Sequence, residues 1–215
     1  MNLERAAAMR VSPKHPVRRA RLLLSRLRAD RRGVAATEFA VILPVMLLMF
    51  LATIEVTSGI AVDRKVTLVA RTLSDLVSQA TTVSDNDLKN VFAASYGVMT
   101  PYSATPAKAT ITEIFVDKDK IAKVQWSKSG TVTQSGSSAT AALATSTRSK
   151  GDTITIPDGL KVANTYLILS EVSYLYQPTI GYLVPKAGLN LTDVSYTRPR
   201  QSLCVLYNTT ICPGT

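Results

Sequence analysis

The chain has 215 residues, room for one ordinary domain with extra segments but too few for two full-sized enzyme domains. Its mean hydropathy of +0.14 is high for a wholly soluble protein and directs attention to a membrane segment. The formal net charge of +10 would suit nucleic acid if it were spread over a fold, but residues 1–37 hold ten Lys/Arg against Glu4 and Asp30, leaving 15 positive and 13 negative groups for the remainder. A near-neutral fold behind a basic arm removes the electrostatic motive for nucleic-acid binding. The single histidine, His15, lies in that arm, which argues against a Ser-His-Asp triad, a Cys-His pair or a His-based zinc site in the fold. With no Walker loop and no G-x-G-x-x-G, the sequence points to no catalytic residue, metal, cofactor or small-molecule substrate.

Residues 1–33 form the basic arm. Within it Val17–Ala29 places Leu22, Leu23 and Leu27 among arginines, compatible with a surface helix on anionic lipid or with a solvated leader. Met9 is an alternative start to Met1. Residues 34–62 read as a membrane-spanning helix: Phe39–Ile54 is sixteen residues without a charge, and Pro44 inside it requires neighbouring groups to absorb a missing hydrogen bond. Arginine and lysine precede this helix, so the positive-inside rule leaves the arm in the cytoplasm and sends the rest across. Glu38 and Glu55 bracket the apolar run; Glu55 reads as interfacial.

Arg31-Arg32-Gly33 is followed by Val34 and, five residues after the glycine, by Glu38 at the edge of the apolar run. That spacing resembles a prepilin leader, which a membrane-embedded aspartyl peptidase cuts after the glycine. A cut between Gly33 and Val34 would place a new ammonium about one helical turn from Glu38. Competing readings are an uncleaved anchor, a signal-peptidase cut after Ala61, a twin-arginine signal and a mitochondrial presequence.

Residues 63–100 continue as helix. Val62, Val66, Val69, Leu73, Leu76 or Val77 and Ala80 recur at steps of three and four, and Arg71 with Asp75 offers an i,i+4 pair on the wet side. Ser84 with Asp87 marks the start of a second short helix ending near Gly97 and Pro101, and capping is the expected role of Asp85 and Asp87. Residues 101–215 read as a β-rich head. Ile111–Val116 and Lys120–Trp126 form a hairpin around Asp117-Lys118-Asp119, residues 127–152 read as a mobile Ser/Thr-rich loop, and Thr153–Pro157 is a short strand. Tyr166–Tyr176 is apolar on both faces and therefore central, and Val194–Thr197 and Leu203–Tyr207 supply the last strands. The fold class is α+β, a long helix followed by a small, mostly antiparallel sheet. Cys204 and Cys212 form a candidate disulfide in an oxidising compartment or remain inert thiols.

Three segments together resemble the TadE/TadG-like family of pseudopilins from the Flp (tight-adherence) pilus machinery: residues 31–50, RRGVAATEFAVILPVMLLMF; residues 171–178, EVSYLYQP; and residues 196–200, YTRPR. The resemblance implies a pilin-like, single-pass protein of the bacterial inner membrane, with a cytoplasmic N-terminus, a periplasmic head, and a place in or near an extracellular fibre. The partners it implies are membrane lipid, other pilins and pseudopilins, the Tad assembly machinery and a prepilin peptidase. Gly33 would be the last leader residue, Val34 the mature N-terminus, and Glu38 the acid at the fifth mature position. Phe39 follows that acid where several relatives place tyrosine. Tyr174, Tyr176, Arg198 and Arg200 are candidates for contacts with partners, against the alternative that the tyrosines are core and the arginines solvated. The rival functions are an uncleaved, membrane-tethered periplasmic binding or scaffold module and, disfavoured by the missing histidine, a membrane-anchored hydrolase.

Overall fold

A computed structural model describes residues 33–136, 138–178, 188–208 and 212. Arg31 and Arg32 lie outside the described residues. The chain divides into two compact units, residues 1–51 and 52–215. After a short turn at Gly33, helix α1 runs Val34–Ser78 without interruption, carrying Pro44 inside it. Its leucines, methionines and alanines are good helix formers, which supports a helix of this length. In the first unit Val41, Met46, Met49 and Phe50 are all more than half exposed, so this stretch presents apolar side chains all round. Among the described residues α1 is the one helix long and apolar enough to cross a membrane.

From Val62 onward α1 is one-sided. Val62, Val66, Val69, Ala70, Leu73 and Val77 are buried, the spacing expected of a helix with a single apolar stripe. The stripe packs against a five-stranded antiparallel sheet ordered β4-β3-β2-β5-β6. Its strands are β2 (Ala107–Val116), β3 (Ala122–Ser135), β4 (Ser138–Thr145), β5 (Thr165–Tyr176) and β6 (Leu189–Thr197). The α+β expectation holds, as does the interior position of Tyr166–Tyr176, which pairs with β2 on one side and β6 on the other. Side chains alternate between faces. Ile168, Val172 and Tyr174 of β5 therefore join α1, while Leu167 and Leu169 join Ile114, Val116 and Ile156 in a second cluster on the opposite face.

Helix α2 (Asp85–Tyr96) starts at a capping box in which Ser84 Oγ accepts from the Asp87 N–H and Asp87 Oδ2 accepts from the Ser84 N–H at 2.9 Å. The Ser84 hydroxyl and N–H hold the Asp87 carboxyl below its ordinary range. Phe92 of α2 lies over Gly130 of β3, where an added Cβ would stand 2.8 Å from three ring carbons. A side chain at Gly130 would displace the ring.

One expectation needs correction. The Ser/Thr-rich stretch read as a loop over 127–152 is largely sheet, supplying the second half of β3 and all of β4. Its hydroxyls pair across strands: Thr110 with Ser129 and Thr112 with Ser127, each at 2.8 Å, and Ser127 with Ser146 at 2.7 Å. Val132, Ala139, Ala141 and Leu143 meanwhile turn inward against the core. Gly136, at φ +60°, sits in the turn between Ser135 and Ser138. Residues 153–157 contribute an isolated bridge from Thr153 to Lys123 in place of a strand.

The chain ends by returning to the start of the head. Strand β7 (Leu206–Tyr207) pairs in parallel with β1 (Thr82–Val83). It is held by Glu113, a buried acid of β2 beside a bulge where β3 carries an extra residue, Gln125. Glu113 accepts from the Val205 N–H at 2.6 Å, and Trp126 Nε1 donates to the Val205 carbonyl at 2.8 Å. Burial raises the Glu113 carboxyl to about 7, against the opposing pull of the Val205 N–H. A folded-state value above the unfolded value of 4.5 means that Glu113 stabilises the fold most at low pH. That contribution falls as pH rises through about 7. Glu113→Gln keeps an acceptor for the Val205 N–H and removes the ionisation. Relative to wild type, the variant should gain on the order of 2–3 kcal/mol between pH 5 and pH 8. Thermal unfolding of the full chain in detergent at both pH values measures this difference; a pH-independent difference contradicts it.

Candidate functional site: the helix start and the Glu55–Tyr176 contact

At the helix start every residue from Gly33 to Phe39 is exposed. Gly33 has nothing within 4 Å of where a Cβ would stand, and Thr37 Oγ1 donates to the Val34 carbonyl at 2.8 Å, closing the first turn. Glu38 follows one turn after Val34 on this open surface.

In the second unit Glu55, the first charged residue after the apolar run, is 7% exposed. Tyr176 Oη donates to Glu55 Oε2 at 3.0 Å. Helical spacing from the Val62 stripe turns Glu55 toward the sheet, and even-numbered positions in β5 turn Tyr176 toward the helix. Burial, and the Glu55 carboxylate after it, push the Tyr176 phenol up to about 12, so at neutral pH it stays a donor. Beside this contact is an apolar cleft of about 360 Å³.

The other residues singled out in the sequence are mostly engaged within the head. Tyr174 is 5% exposed and donates to the Ser103 carbonyl at 3.0 Å. Arg200 pairs with Asp75 through its side chain, and its N–H donates to the Ser78 carbonyl at 2.9 Å. Asp75 also accepts from Gln79 Nε2 at 2.7 Å. The Arg71–Asp75 pair expected along the helix is thus replaced by a long-range partner. Arg198 is exposed. Cys204 is bonded to Cys212, closing a short loop that contains β7.

Sequence reasoning missed Lys65, whose Nζ donates to the Val98 and Thr100 carbonyls at 2.8 and 2.7 Å and so ties α1 to the end of α2. It also missed Glu113, whose signal was an acid on the inward register of an apolar strand. On the sheet face away from α1, Arg148 makes a two-pronged pair with Glu171 at the edge of a polar cleft of about 460 Å³ that includes Lys108 and Asp193. Among the described residues no three His, Cys, Asp or Glu side chains gather as metal ligands would.

Tyr176→Phe removes one partner from a buried carboxylate and should cost about 1–2 kcal/mol. Arg198→Ala, at an exposed position, should change stability by less than about 0.5 kcal/mol. Denaturation of both variants in detergent separates the two sites, and equal effects would contradict these assignments.

No curated protein and no solved structure matches the chain. Residues 33–74, which are 42 of the 215, match the family model for TadE-like proteins. The matched segment runs from the glycine before α1 to Ser74, whose hydroxyl meets those of Ser195 and Thr197 at 3.0 and 2.9 Å. Over this segment, both the bare apolar run and the stripe that packs on the sheet, the chain is similar to TadE-like proteins.

Proposed function

We propose that this chain is a minor pilin or pseudopilin of the Flp, or tight-adherence, pilus system and acts structurally in pilus biogenesis and adhesion. The observation that carries the reading is the TadE-like match over 33–74, falling on a helix that is apolar and exposed before Glu55 and buried on one side from Val62. Such a helix suits two successive environments: lipid, or a bundle of like helices, for its first half and its own head for the second. The basic arm keeps the N-terminus cytoplasmic, and the head is periplasmic. A prepilin peptidase cuts after Gly33, and the ammonium of Val34 then offers a partner for Glu38 on the same or a neighbouring subunit. The partners are other pilins and the Tad assembly machinery, and the chain performs no catalysis.

The uncleaved binding-module reading is favoured by one feature, the polar cleft beside the Arg148–Glu171 pair, which α1 leaves uncovered. Complementation in the host tests between the two. Deleting the gene should abolish Flp fibres and surface adhesion. Wild type should restore both; Glu38→Ala should reach the membrane at a normal level yet restore tenfold fewer fibres. Normal fibre numbers in the deletion strain would contradict the pilus role. Full rescue by Glu38→Ala would contradict the role given to the acid.

A further inference from the structure

The outward side of α1 stays apolar beyond Glu55. Val56 and Ile60, one turn apart, are 62% and 52% exposed. They line the 360 Å³ cleft with Gly59, Tyr176, Leu189 and Leu191. Leu189, at the start of β6, is 53% exposed. Gly59 keeps the floor open: a Cβ there would only touch Tyr176 Cε1 at 3.7 Å, so alanine fits and a larger side chain would fill the space.

The depth of this cleft along the helix matters. The uncharged run Phe39–Ile54 spans about 24 Å at 1.5 Å per residue, within the roughly 30 Å of a bilayer's hydrocarbon layer. Glu55 to Ile60 occupy the next ~8 Å, at the edge of that layer and its ester groups. The cleft therefore follows directly after the apolar run along the helix, at a level where a bare helix would meet polar groups. Its rim is acidic: Asp63, one turn beyond Gly59, is exposed and makes no ion pair among the described residues, while Glu55 lies at the inner end. An anionic headgroup would face two carboxylates, whereas an ammonium headgroup would find a counter-charge.

We propose that this cleft seats an acyl chain of an aminophospholipid from the leaflet on the head side, with the lipid's ammonium facing Asp63. The inference rests on the reading that residues 39–54 span the membrane. A seated lipid would cover apolar surface that Val56, Ile60 and Leu189 otherwise present to headgroups.

The test uses the full chain in nanodiscs of phosphatidylethanolamine and phosphatidylglycerol, with a trace of either lipid carrying a photoreactive acyl chain, and peptide mapping of the adducts. The ethanolamine probe should label residues 189–191 as well as 39–54. Gly59→Leu should reduce labelling at 189–191 at least fivefold while leaving 39–54 unchanged, and Gly59→Ala should behave as wild type. Asp63→Asn should erase the preference for the ethanolamine over the glycerol probe. Labelling at 189–191 that ignores Gly59→Leu, or that favours the glycerol probe in wild type, overturns the proposal. So does efficient disulfide formation between two copies of Ile60→Cys, which would put a second chain in the cleft. Absence of label on 39–54 overturns the spanning reading itself and this inference with it.

Discussion

The burial of one helical stripe organises the head. Val62, Val66, Val69, Leu73 and Val77 are each no more than 1% exposed, and each fully buried side chain of this size stabilises the fold by about 1.5–3 kcal/mol. The sheet has the inner face this stripe needs, with Ala107, Ala109 and Ile111 of β2 and Ile168 and Val172 of β5 opposite it. Small alanines on β2 allow close approach of helix to sheet, and larger side chains on β5 fill the flank. The same helix carries an unburied apolar run before Glu55, so one element meets two different surroundings in succession.

Polar groups mark the limits of the stripe and hold its register. Glu55 with Tyr176 stands at one end, and Asp75 and Ser78 with Arg200 stand at the other. Between them Lys65 reaches two carbonyls at the close of α2, and Ser74 meets hydroxyls of β6. A buried polar contact adds modest stability when made and costs more when broken, so these pairs set position more than they add energy. Glu113 works in the same way for the last strand. Its carboxylate, buried beside Trp126, accepts the Val205 N–H, and β7 then closes on β1 next to the first turn of α2.

Much of this was legible in the sequence because it depends on periodicity. The three-and-four spacing from Val62, the Ser84–Asp87 cap, the β2–β3 hairpin and the two-faced apolar β5 follow from side-chain geometry within about twenty residues. What escaped depends on distance along the chain. Asp75 could be paired by eye only with Arg71, four residues away, while its partner Arg200 arrives from 125 residues later. Serine and threonine in 127–152 carry loop statistics, and only the neighbouring strands reveal that their hydroxyls pair across a sheet. Tyr174 and Tyr176 stood between interface and core. Their hydroxyl partners, a carbonyl at Ser103 and the acid of Glu55, belong to segments far away in the sequence.

The functional account turns on the junction at Gly33, where an exposed helix start, an acid five residues on and a basic arm coincide. The most direct measurement is the N-terminal residue and intact mass of the protein recovered from its host's membranes, with and without the prepilin peptidase. The account predicts a chain beginning at Val34 only when the peptidase is present. A full-length chain in both backgrounds would contradict it.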